Sequence, residues 1–287
     1  MTRPRQFPAD ISHVLLDIEG TTCPVSFVAD TLFPYARARL ESFLMEHGQD
    51  PGLKALLCDL QEAWHNDNSG NINNAATINI AASMKSPIAR QDGASHGPFQ
   101  SESVHWQQHV SPQTPVEQPS LQQLCTFLQS LIDDDRKLTA LKDLQGLIWN
   151  EGYANGSLRA PLFADVAPAL ERWHAAGLQL AVYSSGSVAA QQLLYGHSDA
   201  GDLRQLFSGW FDTRVGSKQD PASYLRIADS LGAPAAKILF ISDSLAEINA
   251  AHLSGMPVIY SSRPGNPEDN PGPHSQITTL QQIPIPS

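Results

Sequence analysis

Cysteine is scarce. Cys23, Cys58 and Cys125 are the only three in 287 residues. Their odd number, their wide spacing and the lack of any Cys-x-x-Cys pair argue against a disulfide framework or a thiolate zinc site, and fit three reduced thiols. Basic residues are also few: 18 Lys and Arg face 29 Asp and Glu, for a net charge of -11. This argues against a basic stripe for nucleic acid, or any phosphate-rich polymer as partner, but leaves room for a local pocket holding one small phosphate. Long hydrophobic runs are missing. Pro4, Arg5, Pro8 and Asp10 interrupt the N-terminus, and no later stretch is long and apolar enough to span a bilayer. The expectation is an untargeted cytoplasmic protein without membrane or nucleic-acid partners.

Leucine is absent from residues 66–120, where six Asn, six Gln and eight Ser accumulate. Such a segment buries too little apolar surface to offset its ordering entropy, so it reads as mostly disordered or a long surface excursion. His105 and His109 stand four apart and could share a metal on a helix. Pro112 and Pro115 have the spacing of a proline-groove ligand, and Trp106 could dock onto the rest of the chain. A plain surface loop is the default for all of them.

The rest of the chain is patterned. Hydrophobic residues make up 41% of it, enough for one large domain or a core plus a smaller unit. Residues 11–18 (ISHVLLDI) read as a buried strand ending in a loop. Residues 28–47 have helical spacing. Asp50-Pro51 starts a helix with Leu53, Leu56, Leu57, Leu60 and Trp64 on one face. Leu121, Leu124, Leu128, Leu131 and Ile132 predict another, and Leu138, Leu141, Leu144 and Ile148 a fourth. Beyond residue 160, strands at 178–183, 237–241 and 257–260 alternate with helices. These are a helix capped by Asp165, one over Ser187–Tyr195, one over Ser223–Leu231 closed by Gly232, and one over Ala246–Leu253. The alternation predicts an α/β fold with a parallel sheet and helices on both faces. Residues 1–29 and 151–287 would form this core, and residues 30–150 an all-helical cap inserted into it, with the 66–120 segment inside the cap.

In such a sheet, ligands bind beyond the carboxyl ends of the strands. Asp17 and Glu19 follow the first strand, Ser184-Ser185-Gly186-Ser187 the second, and Ser242-Asp243 a later one. Lys218 precedes a helix in between. Asp17 and Asp243 could share a Mg²⁺ ion, a hard cation that takes oxygen ligands. Glu19 could protonate a leaving oxygen and activate water. The serine turn offers hydroxyl and N–H groups to a phosphate, and Lys218 offers a positive charge. Each piece has a plain reading: a turn aspartate, an N-cap serine, a solvated lysine, and Asp243 with Glu247 as a helix-capping pair. Their joint placement favours a site.

The same residues resemble the haloacid dehalogenase superfamily. The strings DIEGTTCPVSFV (17–28), LFPYA (32–36), KDLQGLIWNEGY (142–153), VYSSGSVAAQ (182–191) and RPGN (263–266) are similar to the enolase-phosphatases of methionine salvage. The likeness spans nearly everything outside 66–120. It implies a Rossmannoid core with an inserted helical cap, and a Mg²⁺-dependent reaction on 2,3-diketo-5-methylthiopentyl-1-phosphate. That substrate is enolised, then hydrolysed to an acireductone and phosphate through a phospho-aspartyl intermediate. It implies Asp17 as nucleophile and metal ligand, Glu19 as acid/base at the metal, and Ser184 and Ser185 on the substrate phosphate. Lys218 would neutralise the phosphate and Asp17, and Asp243 would complete the metal site. It also implies a monomer. The superfamily usually has Asp at the acid/base position. The longer Glu19 could also take the proton during enolisation. Phe27, Phe33 and Trp149 are candidates for the methylthio tail and equally for the core. Rival readings are a general small-molecule phosphatase of this fold, a metal-free dehalogenase, which Glu19 and Asp243 disfavour, and a non-catalytic binding protein.

Overall fold

Val14, Leu15 and Leu16 are all buried, which is the pattern of a strand covered on both faces. The computed structural model describes residues 10–68, 118–134, 136 and 138–284. In it these three residues belong to β1 (His13–Leu16), the third strand of a six-stranded sheet. The others are β2 (Gln179–Tyr183), β3 (Phe207–Phe211), β4 (Ile238–Ser242), β5 (Val258–Ser261) and β6 (Gln276–Ile277). Their order is β3-β2-β1-β4-β5-β6, and every neighbouring pair is parallel. The chain leaves β1 for β2 and β3 on one side, then returns to β4 on the other. This reversal opens a crevice at the carboxyl ends of β1 and β4. Register sharpens it: Leu16 is level with Val182 and with Ile241. Asp17, Tyr183 and Ser242 therefore leave the sheet side by side.

Alternation along the strands divides the core. Val14, Leu16, Leu180, Val182, Leu239 and Ile241 join a cluster with α6 (Val166–Ala175) and α7 (Val188–Gly196). Leu15, Ala181, Ile238 and Phe240 face α8 (Pro221–Leu231) and α9 (Leu245–Leu253).

Between β1 and β2 the described regular structure is almost all helical. It comprises a short α1 (Val25–Phe27), α2 (Phe33–His47), α3 (Lys54–Asn68), α4 (Leu121–Asp133) and α5 (Thr139–Ala154), followed by α6. The expected helix over 28–47 begins earlier and contains a wide turn. Pro34 has no amide to return to the preceding turn, and Val28–Leu32 forms a π-turn in which Phe33 N donates to Val28 O. Ser120 and Gln123 form a reciprocal capping box at the start of α4. Leu121, expected on the inner face of that helix, is exposed at its first turn, and Leu124, Phe127, Leu128 and Leu131 carry the packing.

Two strands had no expectation. β3 is an edge strand interrupted by Ser208 and Gly209, and an added Cβ at Gly209 would press on Leu231, Phe211 and Ala181. β6 has only two residues. Asp165 stands at the N-cap of α6 but makes no capping bond. Its carboxylate instead accepts from Arg263, Thr279 and the Leu280 amide. His105, His109, Trp106, Pro112 and Pro115 lie outside the described residues.

Candidate active site

Lys218 is at the centre of the crevice. Its backbone carbonyl accepts a 2.7 Å bond from Tyr224 Oη, and its ammonium lies 5.7 Å from the centroid of the Tyr183 ring. From there Nζ reaches Asp17 Oδ1 and Glu247 Oε2, each at 2.7 Å. Lys218 is 8% exposed and Asp17 5%. Burial alone would lower the lysine pKa, but the Asp17 and Glu247 carboxylates push it above its ordinary value. Asp17 Oδ1 also accepts from its neighbour's amide, Ile18 N, at 2.8 Å. Ser242 Oγ lies 3.1 Å from Asp17 Oδ2 and 2.9 Å from Glu247 Oε2, so its single proton serves one carboxylate at a time.

Asp243 follows Ser242. Burial, then repulsion from Asp17 and Glu247, pushes its carboxyl up to about 7. Gly20 makes this crowding possible. It has φ +66°, in the left-handed region, and a Cβ there would overlap the Asp243 carboxylate. Asp17 and Asp243 offer hard oxygen donors, and the repulsion between them is what a bound divalent cation relieves. The donor set therefore fits magnesium.

Beside this cluster is a cavity of about 310 Å³. Glu19, Ser184 and Ser185 line it from the core side, and Leu32, Phe33, Leu141, Gln145 and Trp149 from the helical insertion. Asp17, Lys218 and Asp243 are not among its walls. The serine turn is fixed from behind. Gln191 Nε2 donates to Gly186 O at 2.9 Å and to Phe211 O at 2.8 Å, and Ser187 Oγ caps α7 by accepting from Ala190 N. Of the three aromatic candidates for the substrate tail, Phe33 and Trp149 reach the cavity, whereas Phe27 is packed in the core.

A family model described as haloacid dehalogenase-like hydrolase matches residues 11–255. The chain is 47% identical to "Enolase-phosphatase E1" of Synechococcus sp. (strain RCC307) over 255 residues, 89% of this chain and 86% of the relative. It is 40% identical to the protein of the same name from Synechococcus sp. (strain CC9902), over 95% of this chain and 98% of that one. The chain belongs to the enolase-phosphatase E1 family of haloacid dehalogenase-like hydrolases. The crystal structure of the UTR4 protein from Saccharomyces cerevisiae superposes with a TM-score of 0.66 at 27% identity, covering 95% of this chain and all of that one.

Several residues of this chain escaped the sequence reading as parts of the site. Glu247 looked like a capping partner for α9. However, Ser244 makes no side-chain cap bond there, and Glu247 turns to Lys218 instead. Burial and the nearby Asp17 raise its carboxyl to about 7. Its spacing of four from Asp243, one helical turn, was the available signal. Tyr183 and Tyr224, which orient Lys218, gave none beyond apolar periodicity. The RPGN string was part of the likeness, but its function is visible only in three dimensions. Arg263 Nε donates to Thr21 O at 3.2 Å, and Asn266 Nδ2 to Gly20 O at 2.9 Å. The C-terminal segment thus clamps the loop that follows Asp17.

Proposed function

We propose that this chain is an enolase-phosphatase that converts 2,3-diketo-5-methylthiopentyl-1-phosphate to the acireductone 1,2-dihydroxy-3-keto-5-methylthiopentene and phosphate, in methionine salvage. The observation that carries this reading is the buried Asp17 at the end of β1, held by Lys218 and Ser242 beside a cavity lined by the helical insertion. Family membership supplies the substrate class.

In this reading Glu19 first takes a proton from the carbon that bears the phosphate ester, giving the enol phosphate. Asp17 then attacks phosphorus. The P–O bond breaks toward the enol oxygen, which Glu19 protonates, and a phospho-aspartyl group is left on Asp17. Water deprotonated by Glu19 releases phosphate and restores Asp17. Ser184 and Ser185 hold the phosphate oxygens. Lys218 holds the Asp17 carboxylate in place and offsets the anions brought beside it. Asp17, Glu19 and Asp243 would hold one Mg²⁺, which when bound neutralises charge on the transferring phosphoryl group. The helices inserted between β1 and β2 act as the cap that excludes water from the cavity. The three unpaired thiols suit a reducing, cytoplasmic compartment, and we place the protein there as a monomer.

The test is an assay of the purified protein with the diketone phosphate and Mg²⁺, read for enol absorbance and for phosphate. Both signals are expected. Phosphate without the absorbing enol would make it a general phosphatase, and neither signal from folded protein would overturn the reading.

A further inference from the structure

The face that α5 turns to the cavity carries two polar groups that the protein leaves unmatched. Gln145 is 5% exposed, lines the cavity, and makes no side-chain hydrogen bond to any described residue. Lys142, one turn earlier on the same face, is half-buried, lines the same cavity, and forms no ion pair with a described residue. An amide that opens onto a cavity and bonds to no described residue can hydrogen-bond whatever fills that cavity. Leu32, Phe33, Leu141 and Trp149 make much of the wall around the two side chains apolar. The helix is also fixed in place. Trp149 Nε1 donates to Leu32 O at 2.9 Å, and Gly152 packs so tightly that a Cβ would sit 2.7 Å from the Tyr35 ring. Glu19, in the loop after β1, lines the same cavity. One carboxylate and two hydrogen-bond donors thus border the same cavity.

We propose that Gln145 and Lys142 form an oxyanion site for enolisation, holding the carbonyl oxygen next to the phosphate-bearing carbon. This rests on the function proposed above. When Glu19 removes the proton, the C–H bonding pair becomes the new carbon–carbon double bond. The carbonyl π pair moves onto oxygen, where the Gln145 N–H and the Lys142 ammonium meet the developing charge. Lys142 hands a proton to that oxygen to give the neutral enol and is reprotonated from water. Donors fixed before the charge develops are the arrangement that stabilises such a transition state. The assignment divides the work: the core wall binds and transfers phosphate, and the helical wall enolises.

The test uses Gln145→Met and Lys142→Met, each assayed with Mg²⁺ on the diketone phosphate for enol and on phenyl phosphate for phosphate release. Loss of one oxyanion donor costs on the order of 100-fold or more in kcat. That loss is expected for enol formation, while phenyl phosphate turnover stays within a few-fold of wild type. Phenyl phosphate turnover also reports folding, and if Gln145→Met does not fold, the half-buried Lys142→Met carries the test. Equal losses on both substrates, or undiminished enol formation, would overturn the assignment. A wild type that forms no enol overturns the proposed function and this inference with it. An enol-forming wild type with unimpaired variants overturns only this inference.

Discussion

Lys218 Nζ lies 2.7 Å from Asp17 Oδ1 and 2.7 Å from Glu247 Oε2, so one buried ammonium ties the carboxylate at the end of β1 to the first turn of α9. Removing the ammonium leaves two carboxylates facing each other out of water. Lys218→Met is therefore expected to lose phosphate release and about 3–5 kcal/mol of stability. Glu247→Gln keeps the shape and leaves Lys218 paired with Asp17, so its stability loss should stay near 1–2 kcal/mol. Urea denaturation of both variants checks this. Equal stability losses would refute the bridging role.

Gly20 combines a left-handed backbone with the closest approach to Asp243. Gly20→Ala is expected to cost about 1–2 kcal/mol from the backbone alone, and to displace the Asp243 carboxylate as well. Activity should fall further than the stability loss explains. A variant with reduced melting temperature but wild-type kcat would show that the Asp243 position does not matter.

Asp165 and Arg263 connect the loop after Asp17 to the C-terminal segment. Burial raises the Asp165 pKa, but the Arg263 bond, the Leu280 amide and Thr279 outweigh it and hold the carboxyl below its ordinary value. A depressed folded pKa contributes stability above the unfolded value, near 4, and loses it as pH falls through the lower folded value. Wild type should therefore lose more stability between pH 5 and pH 2, at about these values, than Asp165→Asn. Thermal melts across that range check it, and parallel curves would contradict it.

If Asp17, Glu19 and Asp243 hold magnesium, the ion should stabilise the fold by mass action. At about 100 times its Kd the gain is about 2.7 kcal/mol, or roughly 5–10 °C in melting temperature for a chain of this size. Chelation should reverse the gain, and Asp243→Asn should abolish it. The same gain in Asp243→Asn would place the ion elsewhere.

Much of the fold was legible because its strands are short apolar runs between helical patterns. Val14–Leu16 and Leu239–Ile241 are buried on both faces, and such runs stand out. Phe207–Phe211 did not, because Ser208 and Gly209 break the pattern where the backbone packs against Ala181. Asp17, Ser184, Lys218 and Asp243 could be singled out because parallel strands deliver their ends to one edge. Glu247 was harder to single out: beyond its spacing of four from Asp243, a glutamate in the first turn of a helix is ordinary, and the absent cap bond and the 2.7 Å contact to Lys218 set it apart. Gln145 was hidden for a related reason. A glutamine on an amphipathic helix reads as a surface residue until its burial is known.

The central claim is that Asp17 carries the phosphoryl group. Rapid acid quench of wild type during turnover of substrate with a radiolabelled phosphoryl group, followed by peptide mapping, tests it most directly. The account predicts a base- and hydroxylamine-labile label on the peptide containing Asp17, absent from Asp17→Asn. A label on another residue, or turnover with no labelled peptide at any quench time, would contradict it.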